Sequence, residues 1–347
     1  MAAELPVTCT RCVLPATFPG ITFDAAGVCG YCQDAATAGS VAVARQQLRA
    51  RMEAVIAASR GQGAYDCIVA FSGGKDSSYT LQSLVRTYQL RCLAVTIDNG
   101  FLSEQARTNC TTVTSALGVD FLMFRPAPTF MARMYRTSVT AGGVQSPAAI
   151  KRASAICNSC ISMINTLMVT FAIQHEAPLI AGGYIGGQVP KDMAVLDLNL
   201  IQQERMRAPQ QERYTQLFGP AAGHFFFIRQ SLLQQQPNGH VTVINPMLTV
   251  ALREEEILTT IQALGWQPSQ DTGRHSSNCR LNDVGIALHY RQHGFHPYVL
   301  ELAEQVRAGL MDRAEALDRV QHIPDLATLT PQLAQIGLRP DGTAASD

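Results

Sequence analysis

The chain has 347 residues, 47% hydrophobic and 16% charged, which suits one large α/β domain with smaller attachments and excludes global disorder. Its 27 basic and 27 acidic residues cancel, which speaks against a protein built mainly to grip a long nucleic acid. The start of the chain lacks the basic and apolar regions of a signal peptide. The apolar stretch 161–173 is short and dotted with Ser, Asn and Thr, so a soluble, cytoplasmic protein with no membrane partner is expected. There the ten cysteines should be reduced, and clustered ones read as metal or redox sites.

Residues 1–35 carry Cys9-x-x-Cys12, sixteen further residues, and Cys29-x-x-Cys32. Two such knuckles are donors for a tetrahedral Zn²⁺, with a rubredoxin-like iron as the other reading. The segment is too small for a core of its own, so the metal acts as its staple. Residues 36–63 form a linker. Within it 40–59, with Val43, Leu48, Met52, Val55 and Ile56 apolar, reads as a helix packing on one face, and 60–63 as a break.

Residues 64–250 read as the main domain. The apolar run 67–71 is a buried strand, and Ser72-Gly73-Gly74-Lys75-Asp76-Ser77 follows. Leu81, Leu84, Val85 and Tyr88 then fall at helical spacing. Strand, glycine-rich turn and helix start make a phosphate cradle. Glycines let backbone N–H groups approach an anion, and the first helical turn adds unpaired donors and a positive dipole end. Lys75 adds a point charge, and Asp76 is placed to hold a Mg²⁺ that bridges phosphates. Further strands are predicted at 92–97, 119–124, 178–181 and 240–244. Ser103 is predicted to cap a helix that Gly118 closes. Strands alternating with helices imply a doubly wound, parallel, five-stranded sheet.

Ligands of such sheets bind beyond the carboxyl ends of the strands, which puts Ser72 to Ser77, Asp98 and Gly182 on one rim. Asp98 is a candidate for the nucleoside or a turn former. Gly182 opens a glycine-rich strand end suited to backbone contact with a ligand. Residues 125–149 show no firm period and read as a mobile lid or a hidden helix. Residues 196–230 are helical in part. Residues 251–347 read as a mostly helical C-terminal part with a polar loop, 271–282, carrying Cys279. Four histidines there (His275, His289, His293 and His296) read as core or surface groups in preference to acid–base groups. Residues 339–347 read as a loose tail.

Cys157 and Cys160 open a helix, three residues apart and so on one face. With Cys279 they make three soft thiolates, which suit an iron–sulfur cluster with one iron lacking a protein ligand. A persulfide carrier with a resolving partner, or a structural zinc or unrelated thiols, are the other readings. Cys67 and Cys92 read as core residues, and Cys110 as a helix residue with no clear partner.

Ser-Gly-Gly-Lys-Asp-Ser directly after a strand resembles the PP-loop of ATP pyrophosphatases, whose fold is the adenine nucleotide alpha hydrolase-like one. The resemblance implies ATP gripped by its β- and γ-phosphates and an adenylylated substrate plus pyrophosphate as products. Ser72, Gly73, Gly74, Lys75, Asp76 and Ser77 would be the ATP residues. The PP-loop, a helical Cys-x-x-Cys and a late lone cysteine together resemble the tRNA 2-thiocytidine synthetase group of thiolases, over residues 65–285. That implies a [4Fe–4S] cluster on Cys157, Cys160 and Cys279, sulfur transfer to an adenylylated carbonyl, and a sulfur donor such as a cysteine desulfurase. Where that group has Gly-His-x-x-Asp-Asp, this chain has Gly182-Gly183-Tyr184-Ile185-Gly186-Gly187. With the neutral charge, this favours a small-molecule or nucleobase acceptor over tRNA. The segment from Cys9 to Cys32 is similar to the N-terminus of N-acetyl sugar amidotransferases. That implies the alternative of amidating a sugar with ammonia from a glutaminase partner. A homodimer is compatible with either reading.

Overall fold

The structure is a computed structural model and describes residues 7–37, 41–234 and 239–345. Its centre is one six-stranded sheet: β1 (Cys67–Ala70), β2 (Cys92–Ile97), β3 (Asp120–Phe124), β4 (Leu179–Ala181), β5 (Val195–Asn199) and β6 (His240–Ile244). The strand order is β3-β2-β1-β4-β6-β5. The five predicted strands are all present and mutually parallel, with Cys67 opposite Cys92 on one side and Leu179 on the other.

The sheet has six strands rather than the predicted five. β5 pairs antiparallel with β6 at the far edge, in a segment read as partly helical. Its Val-Leu-Asp-Leu-Asn alternation is a period-two signal, but it is only five residues long and runs straight into the helix Leu200–Arg207.

Burial explains the strand sequences. β1 and β2 are covered on both faces and read as continuous apolar runs. Ile68, Leu93, Val95 and Ile97 face one core with Met163, Leu167 and Met168. Cys67, Val69, Cys92 and Ala94 face the other with Leu81, Leu84 and Val113, so Cys67 and Cys92 are core residues as expected. β3 is an edge strand, and its Met123 and Phe124 are 38% and 36% exposed.

Ser103 caps the helix Glu104–Leu117 by accepting from the Ala106 N–H, and Gly118 closes it with φ +67°. The unassigned stretch 125–149 contains the helix Pro128–Thr140, which buries Phe130, Met131, Met134 and Tyr135. The helix Ala155–Gln174 is longer than the apolar stretch suggested. By length and composition it passes for a membrane span, yet it packs its apolar side on the sheet.

The linker helix is Val41–Ser59. It buries Met52 and Ile56 but leaves Val43 exposed, and its expected first residue, Ser40, lies outside the described residues. The N-terminal knuckle does not stand alone. Its Val13, Leu14 and Phe18 share a core with Phe295, Val299, Leu300 and Leu302 of the C-terminal part. Arg313 donates to the Cys9 carbonyl at 2.7 Å and to that of Cys12 at 3.0 Å. The expected loose tail folds back over its described part, with Leu338 bridged to Ala344 and Arg339 N–H donating to Thr343 O at 2.8 Å. Residues 346–347 lie outside the described residues.

Candidate active site

The order of the sheet reverses between β1 and β4, so their carboxyl ends form the crevice where open α/β sheets bind ligands. The chain leaves β1 through Ser72 to Gly74 and enters the helix Lys75–Gln82, which no side chain caps. Gly73 has φ +69°, and a Cβ there would collide with the Ala106 carbonyl oxygen. Glycine is therefore required, and the tight turn follows. Ser77 Oγ ties the turn together. It accepts from Ser72 N–H at 3.2 Å, lies 3.1 Å from Ser72 Oγ, and donates to Gly74 O at 3.1 Å.

Behind this turn Gly183 packs so closely that a Cβ would lie 3.0 Å from Ser77 N. Gly183 is thus needed for contact with the cradle's own helix. Gly182 N–H donates to Ile244 O at 3.1 Å, which keeps it in line with the sheet.

The cradle opens into a cleft of about 760 Å³. Lys75 and Asp76 form one end, and Trp266, Ser277, Tyr298 and Glu301 line the C-terminal side. Lys75 Nζ lies 2.9 Å from Asp76 Oδ1 and 3.7 Å from Glu254 Oε2. Burial works against its charge, but the carboxylates of Asp76, Glu254 and Glu301 outweigh this and push its pKa above the ordinary lysine value. Glu301 accepts from Gln188 Nε2 at 3.0 Å, and burial pushes its carboxyl up to about 7.

Composition gave no hint of Glu301, Glu254, Trp266 or Ser277. They come from a part of the chain that reads as ordinary helix and polar loop, and only tertiary packing lays them over the cradle. Trp266 Nε1 donates to Gly73 O at 2.9 Å, and Lys75 N–H donates to Ser277 Oγ at 3.2 Å.

The three later cysteines converge around the end of β2. Asn99 Nδ2 donates to Cys279 Sγ at 3.6 Å and to Cys160 Sγ at 3.9 Å. Tyr135 OH donates to Cys160 Sγ at 3.4 Å. Cys157 opens the helix Ala155–Gln174, its N–H donated to the cap Ser154 Oγ at 3.2 Å, and its sulfur lies 4.0 Å from Asn282 Oδ1. Leu102, just after β2, bridges antiparallel to Cys279 and holds the late loop against the strand end. Burial pushes Cys157 up to about 12, Cys160 up to about 11 and Cys279 upward, and Cys279 raises the other two further.

Three soft donors with polar hydrogens aimed at two of their sulfurs could hold a thiolate-bound iron cluster. Among the described residues, only Cys9, Cys12, Cys29 and Cys32 lie with all their ligand atoms within 4.8 Å of one another. The later three are spread more widely than one tetrahedral ion needs.

Those four are buried, and Cys9–Cys32 and Cys12–Cys29 sulfurs lie 3.9 and 3.6 Å apart. A Zn²⁺ with four sulfurs at about 2.3 Å spaces them by about 3.8 Å. Burial pushes Cys9 up, but the N–H groups of Cys12, Cys29 and Arg11 outweigh it and bring Cys9 down to about 6. The set fits a closed tetrahedral ion.

Asp98 is occupied. Its buried carboxylate takes Arg125 Nε at 2.7 Å, Arg107 at 3.2 Å and Gly100 N–H at 3.0 Å, so both oxygens already have partners within the protein. Cys110 packs beside the Thr96 hydroxyl at 3.4 Å, away from both cysteine sets. Of the four histidines, His289 and His296 are buried, and burial lowers the pKa of His275 to about 4 and of His289 to about 3. They are neutral near pH 7.

No family model matches the chain. An uncharacterized protein of Methanocaldococcus jannaschii is 23% identical over 277 residues, 80% of each chain. Among solved structures, the chain is similar to an NH3-dependent NAD synthetase from Campylobacter jejuni at 11% identity and TM-score 0.30, covering 43% of this chain and 58% of that one. It is also similar to the U34-tRNA thiolase NcsA of Methanococcus maripaludis, solved with its [4Fe-4S] cluster, at 13% identity and TM-score 0.31, covering 92% and 90%. At these scores neither structure bears on the chemistry of this chain, which is argued from its own geometry.

Proposed function

We propose that the protein is an ATP-dependent sulfurtransferase that forms AMP and pyrophosphate. The observation that carries this reading is the path of one loop. Ser277 accepts the N–H of Lys75 at the cradle, and two residues later Cys279 joins Cys157 and Cys160. A phosphate site and three clustered thiols are thus served by the same short segment.

In this reading the N–H groups of the Gly73–Lys75 turn and Lys75 Nζ hold the β- and γ-phosphates. Asp76 holds the Mg²⁺, which neutralises charge on the leaving pyrophosphate. An amide-like carbonyl oxygen attacks the α-phosphorus, so that AMP becomes the leaving group. Cys157, Cys160 and Cys279 would hold a [4Fe–4S] cluster. When bound, it supplies an iron with an open position for inorganic sulfide. Asn99 and Tyr135 orient two of the sulfurs, and the cleft wall at Trp266 and Tyr298 keeps water from the activated substrate.

A small or nucleobase acceptor fits better than a long polyanion. Four arginines are already engaged with acceptors of the protein. Arg133 donates to Leu217 O and Gln216 O, Arg152 to Gly187 O, Arg213 to Gly143 O, and Arg125 is clamped on Asp98.

The test is anaerobic purification of wild type and Cys279→Ala, with iron, sulfide and zinc analysis and nucleotide binding. The expected result is about four irons and one zinc in wild type. In the variant the iron is lost and nucleotide affinity stays within about three-fold. A wild-type protein that holds zinc alone after cluster reconstitution, and that makes pyrophosphate with ammonia as well without Cys279, would overturn this reading in favour of amide formation.

A further inference from the structure

We propose that Ser277 is a placeholder in the phosphate site, and that its displacement couples nucleotide binding to the position of Cys279. The proposal rests on the reading above that the cradle takes the phosphates of ATP.

The Lys75 N–H opens a helix and has no partner within it, so it is a donor that a phosphate oxygen needs. Here it is taken by a hydroxyl from 202 residues further along the chain, at 3.2 Å. The hydroxyl lies directly over the turn, since a Cβ on Gly74 would sit 2.8 Å from Ser277 Oγ. A neutral hydroxyl accepts a hydrogen bond about half as strongly as an anionic oxygen, so a phosphate displaces it.

The start of the segment stays in place when that happens. It is anchored through carbonyls that a phosphate does not compete for. Trp266 Nε1 donates to Gly73 O at 2.9 Å, and Asn109 Nδ2 donates to Gln267 O at 2.7 Å. Movement is therefore confined to the residues around Ser277.

Those residues form one small turn. Ser276 Oγ accepts from Cys279 N–H at 2.9 Å and from Asn278 N–H at 3.3 Å. Thr272 Oγ1 donates to Ser276 O at 2.7 Å, and Ser269 Oγ to Ser277 O at 2.9 Å. Pulling Ser277 away from Lys75 turns the Ser276 hydroxyl that supports the Cys279 N–H. On its far side the turn is held by single backbone bonds, Ser103 N–H to Asn278 O at 2.8 Å and Arg280 N–H to Phe101 O at 2.9 Å. Cys279 is thus the point where a shift at the cradle reaches the thiols. The device makes sulfur chemistry wait for a bound nucleotide.

The test uses the full-length protein with Mg²⁺ and α,β-methylene ATP, whose α–β bridge is not cleaved. Trp266 is the chain's sole tryptophan and touches the cradle, so its fluorescence reports binding. Hydrogen exchange of residues 276–280 reports the turn. The expected result is a saturable Trp266 signal together with an at least five-fold change in exchange at Asn278 and Cys279. Ser277→Ala should bind the analogue about five-fold tighter, because the competitor for the Lys75 N–H is gone. It should also show the bound-state exchange without nucleotide. A Trp266 signal that saturates while exchange over 276–280 stays unchanged in wild type would overturn the coupling and leave the ATP reading standing. No binding of the analogue by fluorescence or equilibrium dialysis would overturn both.

Discussion

Four cysteines in the N-terminal knuckle and three around the end of β2 use the same ligand atom in opposite settings. The knuckle sulfurs are buried and close together, and one of them accepts three backbone N–H groups, from Arg11, Cys12 and Cys29, at 3.2 to 3.4 Å. Their surroundings are apolar side chains of the C-terminal helices. The later three are fewer and more spread, and they lie beside the glycine-rich cradle and a polar loop. A closed set of four leaves an ion no position for a substrate, whereas three donors leave one. On the function proposed above, the difference would separate a metal that holds the fold from one that meets a substrate.

The two settings are nonetheless joined. The helix Val299–Arg307 turns Val299, Leu300, Leu302 and Ala303 to the knuckle and Glu301 to the cleft. The knuckle thus buttresses one wall of the cleft, and this comparison can be broken at several points.

The largest effect is expected from the knuckle. Cys29→Ala should remove the zinc and cost about 5 kcal/mol or more. This would appear in calorimetry as a fall of roughly 10 °C in the unfolding midpoint. A midpoint within about 2 °C of wild type would show that the knuckle needs no metal.

Next comes the cradle. Lys75→Ala and Asp76→Ala should each lower pyrophosphate release about 100-fold or more, measured with a coupled phosphate assay, while leaving both metals in place. Full activity in either would remove the cradle from the chemistry.

Cys160→Ala should do the reverse of the knuckle variant. The iron should be lost and the zinc retained, with a stability change of about 1 kcal/mol from the orphaned Tyr135 hydroxyl. Equal loss of zinc would erase the distinction between the two sets.

The smallest effect on metals and chemistry concerns Glu301, which changes only the pH dependence of stability. Its folded pKa, raised by burial from 4.5 to about 7, means that the folded protein holds a proton that the unfolded chain has released in that window. Stability therefore falls as pH rises from about 4.5 to about 7. Glu301→Gln should flatten that slope and stabilise the protein at pH 8 by about 2 kcal/mol, discounted for solvent screening. Unfolding midpoints from pH 5 to 8 check it. An unchanged slope would mean that Glu301 is not held in the cleft as described.

Much of this was legible in the sequence because it is local. A buried strand, a turn that needs glycine and a helix start lie within sixteen residues of chain, so the cradle announces itself. Cys-x-x-Cys spacing does the same for the knuckle, as do Ser103 and Gly118 for the ends of their helix. β5 escaped because five alternating residues before a helix are too short a signal. The helix Pro128–Thr140 was missed although its Phe130, Met131, Met134 and Tyr135 fall at helical spacing and form its buried face. Asp98 looked like a ligand group because nothing local reveals that Arg107 and Arg125 fold onto it.

The sequence alone determined which residues are the candidates: the glycine-rich turn after the first strand, the seven clustered thiols and the parallel order of the main strands. Tertiary structure decided which of them meet. Cys279 lies more than a hundred residues from Cys160, and Ser277 lies 202 residues from Lys75. No local pattern encodes such distances, because they depend on how two cores and the cysteine knuckle pack the C-terminal helices over the rim of the sheet. The same packing turned Glu301, an ordinary helix residue by sequence, into a carboxyl that burial keeps partly protonated near neutral pH.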